Sequence, residues 1–412
     1  MSGGPVFAPP DRGGLEGDED SDEDGSEYTD SDDDGHGCCE DPEEQEKCHF
    51  LDVCWSLLRY KKDVMHDIGQ LQESLQNLDA QDAVLWQHDV VRWTREMSSR
   101  LEVNSQFLAL LPNEEVCAGF LGEEGEALVS NVPDGHRVAS RNASKVRSTL
   151  RQFVRDWARE GEAERKASYA PLLDAVQQYL PLEGHRGLGP SGEPAVLCPG
   201  CGLGRLPFDL ARMGYAAQGN EFSYHMLLGS HLILNRCTRA ECFKIYPFLS
   251  CTTNRLNKSD HLRPVKIPDQ CPREALPPSS ALSMSAGEFV EVYKDQVSEW
   301  DAVVSCFFLD TAKNIFLYIR TIAWIIREGG FLINIGPLLY HYAEVEHEIS
   351  IELSWEELRP NICRYFDIVE ERPQVSQYTT NPGSLMGVRY NCVFFVARRN
   401  SKQPEGASNP VF

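Results

Sequence analysis

The fold is decided by one short stretch, residues 195–206, which reads AVLCPGCGLGRL. The apolar run Ala195–Cys198 predicts a short buried strand, and a helical pattern follows the turn. Glycines at 200, 202 and 204 allow a sharp turn and a close approach to a ligand. Their G-x-G-x-G spacing differs from the G-x-G-x-x-G that suits a pyrophosphate. The stretch therefore predicts a cofactor site at the start of an α/β domain.

Two acidic positions indicate what kind of cofactor the turn holds. Glu221 follows Gly204 by 17 residues and comes just after a predicted second strand, Tyr215–Gly219. There its carboxylate can accept hydrogen bonds from both hydroxyls of a ribose. After another predicted strand, Glu288 can meet the amine of an adenine, and Phe289 can pack against its ring. These residues favour an adenosyl group, while a nicotinamide or flavin site and a turn without a ligand stay open as alternatives.

Strands and helices alternate from the glycine turn to a last predicted strand, Asn391–Ala397. The apolar runs Ala302–Phe308 and Phe331–Ile335 predict buried strands, with a helix over Asn314–Arg327 between them. This alternation predicts an α/β fold with a mostly parallel sheet and helices on both faces. Residues 244–280 are rich in Pro, Asn and Ser and are predicted to form a long insertion.

The remaining segments complete the predicted domain organisation. Residues 1–46 hold 18 Asp and Glu against one Arg and predict a disordered acidic tail, because such a segment buries too little apolar surface. Residues 47–183 carry apolar side chains at helical spacing and predict a helical N-terminal region. The α/β domain is predicted over 184–399, beginning at a Gly/Pro linker, and 400–412 is predicted to be a second disordered tail.

The acidic tail carries most of the net charge of −24 and leaves only −7 for the rest of the chain. This balance argues against nucleic acid as a partner, because a phosphate backbone favours a basic surface. No secretory signal and no run of about 18 apolar residues is visible, so neither export nor a membrane span is expected. The 14 cysteines are therefore expected to be reduced thiols. Cys198 and Cys201 form a C-x-x-C, which leaves a redox or zinc role as an alternative.

Five segments resemble the carnosine N-methyltransferase family. They are PGCGLGR (199–205), QGNEFS (218–223), LNRC (234–237), SCFFLDTA (305–312) and NIGPLLYH (334–341). The resemblance extends over about residues 48–399 and implies a class I methyltransferase fold, which is Rossmann-like, with a helical N-terminal region. It implies S-adenosylmethionine as the cofactor, no metal, and transfer of a methyl group to the imidazole of the dipeptide carnosine, giving anserine. It further implies a homodimer located in the cytoplasm and nucleus.

The resemblance also implies two sets of site residues. The cofactor would contact Gln152, Arg155, Gly200, Gly202, Glu221, Glu288, Phe289 and Cys306. Asp310, His341 and Tyr390 would hold the substrate and are the candidate catalytic residues. Arg155 suits its role, because a guanidinium can form two parallel hydrogen bonds with the carboxylate of methionine. Three positions depart from the family: Glu288 replaces Asp, Cys201 replaces Ala, and Lys313 replaces His.

Methylation of an imidazole depends on its tautomer more than on a strong base. A free imidazole has a pKa of about 6.5, so much of it is neutral at neutral pH. Transfer to Nδ1 requires the proton on Nε2, and a carboxylate that accepts this Nε2–H would fix the tautomer. We hypothesise that Asp310, which ends an apolar strand, does this; an N-cap for the next helix is the alternative.

Several other interpretations stay open from the sequence. His341 is either a substrate contact or a structural histidine, Tyr390 is either a contact or a core aromatic, and Tyr340 and Tyr342 are further candidates. A class I methyltransferase could also act on a histidine in a protein or on another small molecule, because the fold does not determine the substrate. A non-catalytic binding module is a third possibility, against which Glu221, Asp310 and His341 argue.

Overall fold

The computed structural model describes residues 41–85, 90–133, 139–184, 186–345 and 347–404. Its helices are α1 (Pro42–Gln76), α2 (Ala80–Leu85), α3 (Val90–Leu108), α4 (Glu114–Leu121), α5 (Gly125–Ser130), α6 (Ser140–Trp157), α7 (Glu162–Tyr179), α8 (Arg205–Met213), α9 (Tyr224–His231), α10 (Pro272–Ala275), α11 (Phe289–Tyr293), α12 (Ile315–Ile325) and α13 (Trp355–Ile362). Its strands are β1 (Ala195–Pro199), β2 (Ala216–Glu221), β3 (Phe243–Ile245), β4 (Val265–Ile267), β5 (Leu282–Ala286), β6 (Trp300–Cys306), β7 (Ile326–Gly336), β8 (Phe366–Ser376) and β9 (Tyr390–Arg399).

Seven of these strands form one sheet in the order β5-β2-β1-β6-β7-β9-β8. Neighbours from β5 to β7 run parallel, and β9 runs antiparallel to both β7 and β8. This order, with one reversed strand next to the edge, is the topology of class I methyltransferases. The predicted α/β fold class is therefore confirmed, together with the helical region at the N-terminal side.

The buried strands were predictable, whereas the edge strand β8 was not. Residues 195–199 are buried throughout, as their apolar character predicts. Strand β8 lies at the edge of the sheet and alternates exposed with partly buried positions, and it carries charged residues and Pro373. Charged side chains and proline are typical of edge strands, but they remove the apolar signal on which strand prediction depends.

The predicted boundary of the acidic tail at residue 46 is wrong, because helix α1 begins at Pro42. The Asp41 carboxylate accepts a hydrogen bond from the N–H of Glu43 at 3.1 Å and caps the helix. Proline at the first helical position and acidic side chains in the first turn also favour a helix start. Residues 1–40 of the predicted acidic tail and 405–412 of the second predicted tail lie outside the described residues.

The segment 244–280, predicted as an insertion, packs on the N-terminal helices. It contains β4, which pairs antiparallel with β3 in a separate two-stranded sheet. Its buried side chains Phe248 and Leu262 belong to the same apolar cluster as Leu57 of α1 and Met97 of α3. This segment therefore ties the N-terminal helices to the α/β domain. None of the described helices is both long enough and apolar enough to cross a lipid bilayer.

A buried hydrogen bond also joins the two parts of the chain. The Ser56 hydroxyl of α1 lies 3.1 Å from Nε2 of His225 in α9. His225 is 1% exposed, and burial lowers its pKa to about 3, with a smaller effect from Lys145. The fold therefore accepts His225 only as the neutral imidazole.

We predict that His225 contributes to loss of stability in acid. In the unfolded chain its pKa is about 6.5, so its contribution is complete above that pH and is lost as the pH falls toward about 3. His225→Gln should remove up to about 1.4 kcal/mol per pH unit from the pH dependence of the free energy of unfolding over this window. Urea unfolding at several pH values measures it, with exposed His66→Gln as the control. A His225→Gln profile parallel to that of the unsubstituted protein would contradict the prediction.

Candidate active site

The carboxyl ends of β1, β2, β5 and β6 meet at one edge of the sheet and border a cavity of about 380 Å³. This volume is within the range of small-molecule sites. All eight predicted cofactor residues line this cavity: Gln152, Arg155, Gly200, Gly202, Glu221, Glu288, Phe289 and Cys306. They come from α6, from the glycine turn and from three strand ends, so the fold brings together residues up to 154 positions apart. Their contact with a cofactor stays a prediction.

The glycine turn packs tightly at two of its positions. Gly200 has φ +60° and Gly202 has φ +56°, in the left-handed region that favours glycine. A Cβ on Gly200 would lie 2.6 Å from the ring of Phe308, and one on Gly202 would lie 3.1 Å from Nε2 of Gln152. The turn is therefore shaped for close contact, and its bare backbone faces the cavity.

Glu221 holds the glycine turn against the end of β2. One carboxylate oxygen accepts a hydrogen bond from the N–H of Gly202 at 2.8 Å, and the other accepts from the N–H groups of Phe222 and Ser223, both at 2.9 Å. The side chain is 5% exposed and lines the cavity. These bonds fix the carboxylate at the place where the sequence predicts a ribose.

Arg155 lies near the end of α6, lines the cavity and is 4% exposed. Its Nε pairs with a carboxylate oxygen of Glu164 at 2.8 Å, and Nη1 donates to the Tyr169 hydroxyl at 2.8 Å. The guanidinium lies 4.5 Å from the ring centre of Tyr378. Burial alone would lower the pKa of Arg155, but Tyr169 and Asp156 raise it, so the group stays charged. A buried, oriented cation in the cavity wall fits a carboxylate ligand.

An aromatic wall closes the cavity beside Glu288. Phe289 is 2% exposed and packs edge-to-face on Phe308 at 5.4 Å and on Tyr318 at 5.3 Å between ring centres. Phe308 and Tyr318 stack at 4.9 Å. Glu288 caps α11 by accepting a hydrogen bond from the N–H of Glu291 at 2.9 Å, and burial raises its pKa. Flat apolar surface beside a carboxyl group suits a planar base with an exocyclic amine.

The cysteines around the turn are protonated thiols. Burial raises the pKa of Cys198 and Cys201, and it raises that of Cys306 to about 11. A thiol rather than a thiolate is a poor nucleophile and a poor metal ligand. Across the described parts of the chain, no three His, Cys, Asp or Glu side chains form a group that could hold a metal ion. The redox and zinc alternatives for the C-x-x-C therefore gain no support.

The three predicted substrate residues lie beside the cavity but are not among the residues that line it. Asp310 is in a turn, Leu309–Thr311, directly after β6, and its neighbour Thr311 lines the cavity. The backbone N–H of His341 donates to the carbonyl of Asp310 at 3.1 Å. The ring of Tyr390 lies 5.6 Å from that of Phe307, which does line the cavity. The fold thus brings the three close to one side of the site.

Asp310 is buried and is not a helix cap. Its Oδ2 accepts a hydrogen bond from the N–H of Leu339 at 2.9 Å, which holds the segment before His341 in place. The N-cap alternative is wrong, because Asn314 caps α12 and accepts from two N–H groups of its first turn. Asp310 follows β6 through a separate turn, so helix geometry does not explain its presence.

Burial changes the protonation of both Asp310 and His341. It raises the pKa of Asp310 to about 6, which leaves the carboxylate mostly ionised at neutral pH. It lowers the pKa of His341 to about 4, which keeps the imidazole neutral. Tyr340 is a structural residue, since its hydroxyl donates to the carbonyl of Leu353 at 2.7 Å. Tyr342 lines the cavity.

Several residues of the site were missed from the sequence. Tyr378 lies in the loop between β8 and β9 and faces Arg155, and Glu164 and Tyr169 of α7 hold that guanidinium. One sequence signal could have indicated Tyr378: it is an aromatic residue in a loop rich in Asn, Pro and Gly before the last strand. In the sequence, Glu164 resembles an ordinary residue of a helix surface, and Tyr169 resembles an ordinary core residue.

We predict that Gly200→Ala weakens cofactor binding more than it weakens the fold. The added Cβ would lie 2.6 Å from the Phe308 ring, which lines the cavity and must shift. Gly184→Ala is the matched control, because Gly184 has φ +73° and open space around it. The left-handed backbone should cost each variant about 1 kcal/mol of stability, and the contact with Phe308 adds to the loss in Gly200→Ala. Only Gly200→Ala should lose affinity in calorimetry with S-adenosylmethionine. Equal affinity of the two variants would contradict this account of the turn.

Comparisons with known proteins agree with the sequence resemblance. A family model described as carnosine N-methyltransferase matches residues 134–401. A carnosine N-methyltransferase of Rattus norvegicus is 37% identical over 370 residues, covering 88% of this chain and 89% of that one. One from Schizosaccharomyces pombe is 41% identical over 266 residues, covering 62% and 70% of the two chains.

Solved structures of methyltransferases resemble the chain only distantly. A SAM-dependent methyltransferase from Methanosarcina mazei has a TM-score of 0.36 and 14% identity, covering 55% of this chain and 98% of that one. Magnesium protoporphyrin IX methyltransferase from Synechocystis, with bound SAH, has a TM-score of 0.35 and 14% identity, covering 62% and 95%. These scores add nothing to the strand order described above. The family model and the relative from Rattus norvegicus show that the chain belongs to the carnosine N-methyltransferase family.

Proposed function

We propose that the protein transfers the methyl group of S-adenosylmethionine to Nδ1 of the imidazole of carnosine, giving anserine and S-adenosylhomocysteine. The proposal depends chiefly on one observation. The eight predicted cofactor residues line a single cavity, and Thr311, in the turn that carries Asp310, lines it too. A donor and an acceptor can therefore meet in one enclosed space. Family membership supports carnosine as the acceptor.

The residues of the cavity fit S-adenosylmethionine, which, when bound, supplies a methyl group on a positively charged sulfur. Arg155 would pair with the methionine carboxylate, and Glu221 would accept from the ribose hydroxyls. Glu288 and Phe289 would hold the adenine. At Gly200 the turn presents bare backbone to the ligand. A Cβ at this position would push against Phe308, which would then displace the ligand.

On the acceptor side, Asp310 would orient the imidazole. A carboxylate has two oxygens and room for several hydrogen bonds, and Oδ2 already accepts one from the N–H of Leu339. Accepting Nε2–H of the substrate leaves the lone pair of Nδ1 free to attack the methyl group in line with the breaking bond. The product imidazolium carries a positive charge, which the same carboxylate stabilises. Neutral His341 and the hydroxyl of Tyr390 would hydrogen-bond the dipeptide.

The direct test is mass spectrometry of the product formed from carnosine and S-adenosylmethionine, with fragmentation or NMR to locate the methyl group on the ring. We expect one added methyl group on Nδ1. In parallel, labelled cofactor is incubated with a cell extract. Label that enters only macromolecules, with carnosine unchanged, would contradict the proposal and favour a histidine in a protein.

We predict that Asp310→Asn lowers turnover about 100-fold or more while leaving the Kd of the cofactor unchanged. The exposed Asp295→Asn is the control and should behave like the unsubstituted protein. Below about pH 6, kcat/KM of the unsubstituted protein should fall with a limiting slope of two, because both the substrate imidazole and Asp310 take up protons. In Asp310→Asn the slope should be one. A slope of one in both proteins would remove Asp310 from the mechanism.

Three further parts of the interpretation stay predictions. We expect a homodimer, a location in the cytoplasm and nucleus, and no role for nucleic acid or a membrane. The helical N-terminal region contributes Gln152 and Arg155 to the cavity, so we expect it to be required for cofactor binding.

A further inference from the structure

Among the described residues that line the cavity, four carry charged side chains: Arg155, Glu221, Glu288 and Lys313. The proposed function assigns the first three to the cofactor. Lys313 also lines the cavity and lies three residues after Asp310, just before helix α12. It therefore provides a positive charge close in sequence to Asp310, the residue proposed to hold the acceptor.

Lys313 is held in the cavity lining by one ion pair and one aromatic ring. Its Nζ lies 2.7 Å from a carboxylate oxygen of Glu348 and 5.0 Å from the ring centre of Tyr342. Glu348 and Tyr342 belong to the same segment as His341, which bonds to Asp310 through its backbone. The cation and the carboxylate of Asp310 are thus positioned by the same two stretches of chain.

The ion pair is exposed enough to exchange its partner. The side chain of Lys313 is 45% exposed and that of Glu348 is 20% exposed. Such pairs contribute little stability, because water screens them and long side chains lose entropy on pairing. An incoming carboxylate can replace that of Glu348, while the ring of Tyr342 keeps the ammonium in place.

We infer that Lys313 selects acceptors that carry a free carboxylate next to the histidine side chain. On binding, its ammonium leaves Glu348 and pairs with the carboxylate of the dipeptide, while the imidazole reaches Asp310. This inference rests on the proposed function. It also separates substrates, because a histidine within a protein chain has a peptide bond in place of that carboxylate and would leave Lys313 without a substrate partner.

The test compares carnosine with β-alanylhistamine, which has the same imidazole and amine but lacks the carboxylate. The proteins are the unsubstituted chain, Lys313→Gln, Lys313→Arg and the control Lys266→Gln. Lys266 is also an exposed lysine, paired with Glu241 at 3.3 Å, and does not line the cavity. Thermal unfolding of each variant confirms that it is folded.

We expect Lys313→Gln to raise KM for carnosine about tenfold or more, with little change in kcat and none in the KM for β-alanylhistamine. Lys313→Arg should restore most of the preference for carnosine, and Lys266→Gln should change nothing. An equal rise of KM for both substrates, or an unsubstituted protein that accepts both equally well, would overturn the role of Lys313 and leave the proposed function intact. If the unsubstituted protein methylates neither substrate, the proposed function is wrong and the role of Lys313 falls with it.

Discussion

The buried carboxylate of Asp156 is the interaction on which the rest of the site depends. It lies at the end of α6 with 0% exposure. One oxygen accepts from Nε2 of Gln152 at 3.1 Å and from the N–H of Leu203 in the glycine turn at 3.3 Å. The other accepts from the Tyr169 hydroxyl of α7 at 2.8 Å. Removing one partner of a buried charge is costly, so α6, α7 and the turn are held as one unit.

This unit extends to the C-terminal side of the chain through Arg155 and Glu164. The carboxylate of Glu164 pairs with Arg155 and also accepts from the N–H groups of Thr379 and Thr380, at 2.9 and 3.1 Å. These residues follow Tyr378, whose ring faces the guanidinium. The N-terminal helices and the loop between β8 and β9 therefore meet at one buried cation. This part of the cavity wall is thus built by segments that are far apart in sequence.

The parts of the site that sequence predicted are those whose chemistry is local. Glycine at 200 and 202 is required by the left-handed backbone, and Glu221 follows directly from its place at the end of a strand. By residue type, Asp310 and Asn314 are equally suited to cap a helix. Only the turn Leu309–Thr311 in the structure decides that Asn314 caps α12. Glu164 could not be found, because its partners lie up to 216 residues away and leave no pattern near it.

The pKa values of Asp310 and His341 argue for the direction in which a proton moves in this site. In water a histidine holds its proton to a higher pH than an aspartate does. Burial reverses this order here, with the pKa of Asp310 raised to about 6 and that of His341 lowered to about 4. A proton leaving Nε2 of a methylated imidazole would therefore go to Asp310 before His341. If these residues hold the substrate as proposed, Asp310, still mostly ionised at neutral pH, would first orient the substrate and then accept this proton, and His341 would act as a neutral hydrogen-bonding group.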